Sequence, residues 1–287
     1  MKILAIGDFH GEFLGKFNKI IKRENIDLVV SLGDYPPFSM DKLFWKEIYA
    51  EVKEGKELWD YIGKKKYKKY RLRDHKFGEE VMKKLNKLPA PVLTIAGNHD
   101  ESKWPETIDK RYYKIVPKRW KWAEQDFFTP MVKKYRNIKD INYSYAKFEK
   151  FIFIGGGPSS FPGRIKNYNY RWLRKKLDNL FKKYNKENKQ KRVIFISHNV
   201  PYNTKIDVIT SKKAHKKARG RHYGSKLVRR VIDKWQPILH IGGHLSENQG
   251  KDKIKKTTLI NPGAAHEGKA VVIEIDEGKI KKVKFIK

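Results

Sequence analysis

The chain has 287 residues, with 66 Lys and Arg against 32 Asp and Glu, for a formal net charge of +34. Its 39% hydrophobic and 13% aromatic content is enough to fill a sizeable core, which excludes a wholly disordered chain. Without cysteine it has no disulfide frame and no thiolate metal site, and no apolar run approaches the roughly 20 residues of a membrane-crossing helix.

The first apolar run, Lys2 to Gly7, reaches Asp8 almost at once. It is too short for a secretory leader and reads as a first strand, so the expected location is the cytoplasm, with no membrane partner. A helix is expected over Glu12 to Glu24, then a second strand from Asp27 to Leu32 that ends in Gly33-Asp34. The long connection from Pro36 to Pro89 carries a basic, aromatic stretch, Tyr61 to Arg71. Pro91 to Ala96 reads as a third strand and runs into Gly97-Asn98-His99-Asp100. A second long connection, Trp104 to Ile138, holds Trp104, Trp120, Trp122, Phe127 and Phe128.

A hairpin follows over Asn142 to Gly155 with Glu149-Lys150 at its turn, and then the run Gly155-Gly156-Gly157-Pro158. The strand Arg192 to Ile196 leads into Ser197-His198-Asn199. After the basic connection Lys205 to Arg221 come a helix, Gly224 to Trp235, and a strand, Pro237 to Ile241, ending in Gly242-Gly243-His244. A closing hairpin spans Lys269 to Ile286 and turns at Asp276-Glu277-Gly278. The two hairpins suggest a second sheet in the second half of the chain. The expected fold is α/β: two mixed sheets packed face to face and covered by helices, a four-layer αββα sandwich. One domain over 1–287 is expected, with inserts at about 36–89 and 104–138.

Every strand in this series ends in oxygen or imidazole donors, and such ends converge at one rim of a sheet. In order they are Asp8 and His10, Asp34, Asn98 and His99, His198, and His244. A single Gly-Asp is usually a turn and a single strand-end His is usually structural. Five such clusters in sequence point to a metal site built from oxygen and nitrogen donors.

The pattern Gly7-Asp8-Phe9-His10-Gly11, Gly33-Asp34, Gly97-Asn98-His99-Asp100, Ser197-His198 and Gly243-His244, followed by Asn261-Pro262-Gly263, resembles the calcineurin-like metallophosphoesterases. The resemblance implies a phosphoester hydrolase with two divalent ions (Mn, Fe, Zn, Co or Ni). Asp34 would bridge them, Asp8 and His10 would hold the first, and Asn98, His198 and His244 the second. It also implies attack by a metal-bridging hydroxide, with His99 protonating the leaving oxygen. Asp100 would orient that imidazole or cap a helix.

Two departures from the family pattern matter. Members usually carry a second His two residues after the one matching His244, where this chain has Ser246. The first metal site is therefore expected to be weak, or completed by water, Glu247, His240 or His266. The Asp-Arg pair of the protein phosphatases is also missing, since Asp34 is followed by Tyr35-Pro36-Pro37. That disfavours a phosphoprotein substrate.

The remaining expectations concern substrate. Arg219 and Arg221 either clamp a substrate phosphate or are solvated loop residues, and His222 precedes a Gly224-Ser225 helix start that either faces phosphate or caps the helix. The Gly155 to Gly157 run is either a phosphate cradle or a strand exit. The Tyr61 to Arg71 stretch is either a stacking surface for nucleic acid or an amphipathic helix with its tyrosines turned inward. His75 and His215 are expected at the surface. The charge favours a phosphate-bearing partner, with nucleic acid a candidate, and a phosphodiester over a monoester. The alternatives are a nucleic-acid-binding protein with an impaired site and a small-molecule phosphomonoesterase.

Overall fold

The computed structural model describes residues 1–40, 43, 57–105, 120–211, 214, 216 and 218–287. Two six-stranded sheets form its centre. Strands β1 (Lys2–Ile6), β2 (Leu28–Ser31), β3 (Val92–Thr94) and β4 (Ile138–Asp140) run in the first, and β5 (Tyr145–Phe148), β6 (Phe151–Gly155), β7 (Val193–Asn199), β8 (Leu239–Gly243), β9 (Gly250–Ile254) and β10 (Thr257–Asn261) form the second. The last two, β11 (Ala270–Asp276) and β12 (Lys279–Ile286), return to the first sheet, whose order is β12-β11-β1-β2-β3-β4, while the second runs β5-β6-β7-β8-β10-β9.

Burial on both faces explains why the central strands read as continuous apolar runs. Along β1, Ile3 and Ala5 face the layer between the sheets, where they meet Leu28 and Val30 of their own sheet and Phe153, Ile194 and Ile241 of the other. Leu4 and Ile6 face outward onto α1 (Lys16–Glu24) and α3 (Lys64–Asn86), through Phe17, Ile20, Ile21, Val81, Met82 and Leu85. On the far side, α5 (Tyr168–Lys183) and α7 (Lys226–Trp235) bury Tyr170, Leu173, Leu177, Phe181, Val231 and Ile232 against Ile152, Ile154, Val193 and Phe195. The order helix, sheet, sheet, helix is the expected sandwich. The short helices α2 (Leu58–Ile62), α4 (Phe128–Lys133) and α6 (Asn185–Lys189) complete the described set.

One expectation needs correction. The closing hairpin turns where anticipated, at Glu277-Gly278, but β11 pairs antiparallel with β1, Ile3 opposite Ile273, so it extends the first sheet instead of the second. Alternation cannot tell which sheet edge a hairpin joins; the open edge of β1 decides it. Strands β9 and β10, between His244 and Asn261, also go unmarked in the sequence, because β9 is half-exposed and rich in Lys. Part of each long insert lies outside the described residues. Among those described, no helix is long and apolar enough to cross a membrane.

Candidate metal centre

Strands β1, β2 and β3 are mutually parallel, as are β6, β7 and β8, so their carboxyl ends meet at one rim. Asp8, His10, Asp34 and His244 at that rim all have positive φ, at 56°, 46°, 57° and 69°. A left-handed backbone at four non-glycine positions is local strain concentrated where side chains must converge. On β7 the pairing with β8 shifts register between Ile196 and Asn199, an irregularity that re-aims His198.

The donor atoms fall into two groups that share Asp34. Asp8, His10 and Asp34 each place one within 4.8 Å of the others, as do Asp34, His198 and His244. His198 is fully buried, its Nδ1 donating to the Leu32 carbonyl at 2.7 Å. That fixes the ring and turns Nε2 to within 3.5 Å of Asp34 Oδ2 and 2.8 Å of Asn98 Oδ1. His99 donates its backbone N–H to Asp34 Oδ1 at 2.9 Å, and its Nε2 lies 4.0 Å from Asp34 Oδ2. Its ring stands between those of Phe38 and His10, with centroids 5.4 and 5.6 Å away.

The donor set fits divalent ions. Asp8 Oδ1 is buried without a hydrogen-bond partner, a costly arrangement for a carboxylate that a cation would relieve. Burial, with Asp34 nearby, raises the Asp8 carboxyl to about 7, against the opposing pull of His198. Burial also lowers the imidazoles of His10, to about 4, and His244, to about 3, which keeps both in the neutral form that metal binding requires. At Asp34, burial pushes the pKa upward, but His198, His99 and His10 outweigh it and hold the carboxyl below its ordinary range.

Asp100 has a different place from the one expected. Its carboxylate accepts from the backbone N–H groups of Gly97 (2.6 Å), Asp34 (2.8 Å) and Tyr35 (2.9 Å), tying the loop after β3 to the loop after β2. These bonds make it a clasp behind Asp34, and among the described residues no helix begins there. Gly97 permits the same close approach, since a methyl group there would run into the Asp34 carboxylate and backbone N. Gly97→Ala should therefore displace Asp34, costing roughly 1–3 kcal/mol or more of stability by overpacking and, with it, metal binding. Urea unfolding together with calorimetric Mn²⁺ titration checks this; wild-type values in both would refute it.

Of the expected substrate residues, Arg221 and His222 line a recess with Phe161, Pro162, Tyr202, Gly220 and Tyr223, of about 500 Å³. It adjoins the centre through Ser160, whose carbonyl lies 3.2 Å from His244 Nε2, and through Asn199, whose Nδ2 donates to the Tyr223 carbonyl. Arg219 is not among the lining residues; its Nε donates to the Ala214 carbonyl. Ser225 caps α7 by accepting from Val228 N–H, so the helix start is an ordinary cap. The Gly155 to Pro158 run is wholly buried, with Gly157 against the Tyr143 ring, so it is a strand exit with no open cradle.

Several supporting residues carry no sequence signal. Asp207, fully buried, accepts from His222 Nδ1 (2.6 Å) and from the N–H groups of Asn203, Thr204 and Gly224. Arg71, inside the basic stretch, is also buried and donates to the His99 carbonyl at 2.9 Å. The stretch itself is helical: Tyr67 packs with Met40, Leu58 and Trp59, while Lys64 and Lys68 lie over Trp120 and Trp122. His75 was expected at the surface but is largely buried, 2.6 Å from Glu101 Oε2 and stacked on Phe127. His215 lies outside the described residues.

The sequence model of the calcineurin-like phosphoesterases matches residues 1–247, and the chain belongs to that family of metal-dependent enzymes. An uncharacterized protein of Methanocaldococcus jannaschii, MJ1162, is 28% identical over 189 residues, 64% of this chain and 70% of its own length. Solved structures share the fold at low identity. One aligns with TM-score 0.66 at 18% identity over 99% of this chain and 98% of its own. The protein TT1561 of Thermus thermophilus aligns at 0.53 and 14%, covering 99% and 97%. A dimetal phosphatase from Danio rerio aligns at 0.50 and 12%, covering 96% and 92%.

Proposed function

We propose that this calcineurin-like phosphoesterase hydrolyses a phosphodiester of a nucleotide or nucleic acid, using two divalent ions. The observation that carries the reading is Asp34, whose carboxylate belongs to both donor groups and lies 4.0 Å from the His99 imidazole. Asp8, His10 and Asp34 would hold one ion, and Asp34, Asn98, His198 and His244 the other. When bound, the ions supply Lewis-acid charge and an activated water nucleophile.

The chain's own groups do the rest. His99 is 27% exposed, reachable by substrate, and held by Phe38, His10 and its N–H bond to Asp34. From there it donates a proton to the departing oxygen. The neighbouring recess takes the part of the substrate beyond the scissile bond, with Arg221 donating hydrogen bonds to a phosphate and Tyr202, Tyr223 and Phe161 as apolar walls for a base. His222, oriented by buried Asp207, presents its other ring nitrogen there. The net charge of +34 draws anionic substrates towards the rim.

A direct test compares bis(p-nitrophenyl) phosphate with p-nitrophenyl phosphate, each with Mn²⁺ and with EDTA. Hydrolysis that requires Mn²⁺ and favours the diester is expected. A preference for the monoester would sink the diester assignment, and inertness of both esters with Mn²⁺ would sink the enzyme reading.

A further inference from the structure

The geometry points to His266 as the protein ligand that completes the first metal site, taking the place left by Ser246. This rests on the two-ion reading above. The donor group on that side contains three protein residues, Asp8, His10 and Asp34. Ser246 offers only a neutral hydroxyl, a poor ligand beside an imidazole.

Chain path brings His266 to that side. After Asn261-Pro262-Gly263 the backbone forms a single 3-10 turn, Ala265–Glu267, docked on the end of β1 by the Ala265 N–H, which donates to the Gly7 carbonyl at 2.7 Å. The His266 ring thus arrives beside Asp8 and His10. Its Nδ1 is 2.8 Å from the Asp8 carbonyl oxygen, and its centroid is 5.0 Å from that of His10, at 74°.

Nδ1–H donating to a backbone carbonyl is the arrangement usual for a metal-binding histidine. It sets the tautomer in which Nε2 carries the lone pair. His266 does not belong to the 4.8 Å group, so joining the shell takes a shift of the imidazole towards Asp8 and Asp34. The other two candidates lack this placement. His240 is fully buried, with Nε2 2.7 Å from Ser197 Oγ and its ring against Phe195, and Glu247 is exposed.

The test follows Mn²⁺ binding by calorimetry and the visible spectrum of the Co²⁺-loaded protein, in wild type, His266→Ala, His266→Gln and, as a control, Asp34→Asn. Wild type should bind two ions per chain. Both His266 variants should weaken one ion by ~10-fold or more, alter the Co²⁺ bands of that site and leave the other ion unchanged. Two further results would overturn the assignment: both ions binding the variants with wild-type affinity, or both weakening equally, the mark of a merely structural residue. In either case loss of both ions in Asp34→Asn would leave the two-ion reading standing. A wild-type protein that binds no divalent ion would overturn both. The Gln variant keeps a side-chain amide near the Asp8 carbonyl, so the readout survives if the Ala variant fails to fold.

Discussion

Asp34→Asn should lower metal-dependent hydrolysis by on the order of a thousandfold, about 4 kcal/mol of transition-state stabilisation, and release divalent ions. The substitution is nearly isosteric, so the amide oxygen still accepts the His99 N–H that Asp34 Oδ1 accepts at 2.9 Å. What disappears is the negative charge shared by two donor groups and facing His198, His99 and His10. His99→Ala makes the informative contrast. His99 is absent from both donor groups, so that variant should retain its ions while losing turnover by about 10²–10⁴-fold, the range for a general acid. Metal analysis of the two proteins beside kcat separates the roles. Full turnover in Asp34→Asn, or loss of ions in His99→Ala, would contradict the arrangement.

Arg71→Met is expected to lower the free energy of unfolding by about 3–5 kcal/mol, because it removes one partner of a buried charge network. The guanidinium is 2% exposed. Its Nε is 2.7 Å from Glu101 Oε1, its Nη1 3.5 Å from Asp74 Oδ2, and its Nη2 donates to the His99 carbonyl. Burial raises the Glu101 carboxyl, but Arg71 and His75 outweigh it and hold the group below its ordinary range. Without Arg71 that carboxylate and Asp74 lose their guanidinium partner, and the loop carrying Asn98 and His99 loses its tether to α3. Turnover should therefore fall as well, with Arg71 acting as a positioning residue through His99. Urea denaturation reads the first effect. The second should be partly relieved in Arg71→Lys, which restores charge but not the fork that spans Glu101 and the His99 carbonyl. A loss under about 1 kcal/mol with wild-type kcat would contradict this account.

The positive charge has a more specific place in the molecule than composition implies. Of the basic stretch in the first insert, Arg71 is built into the support of His99, while Lys64 and Lys68 cover tryptophans. In the basic connection Lys205 to Arg221, Arg221 reaches the recess and Arg219 bonds its own loop. Among the described residues, the basic runs thus serve partly as scaffold.

The rim residues Asp8, His10, Asp34, Asn98, His99, His198 and His244 were legible in the sequence because each sits at the end of a short apolar run. The link between a buried parallel strand and the donor that follows it is local, spanning only a few residues. The same locality made α1, α7 and both hairpin turns readable. Other features depend on contacts between distant parts of the chain, and the sequence carries no mark of them. Examples are the return of β11 to β1, the hold of Arg71 on a loop 28 residues away, the clasp of Asp100 across 66 residues and the docking of His266 on Asp8 across 258. Motif order therefore established the family chemistry. Which histidine comes to lie beside Asp8, and which arginine is buried, was decided only when packing brought those distant segments together.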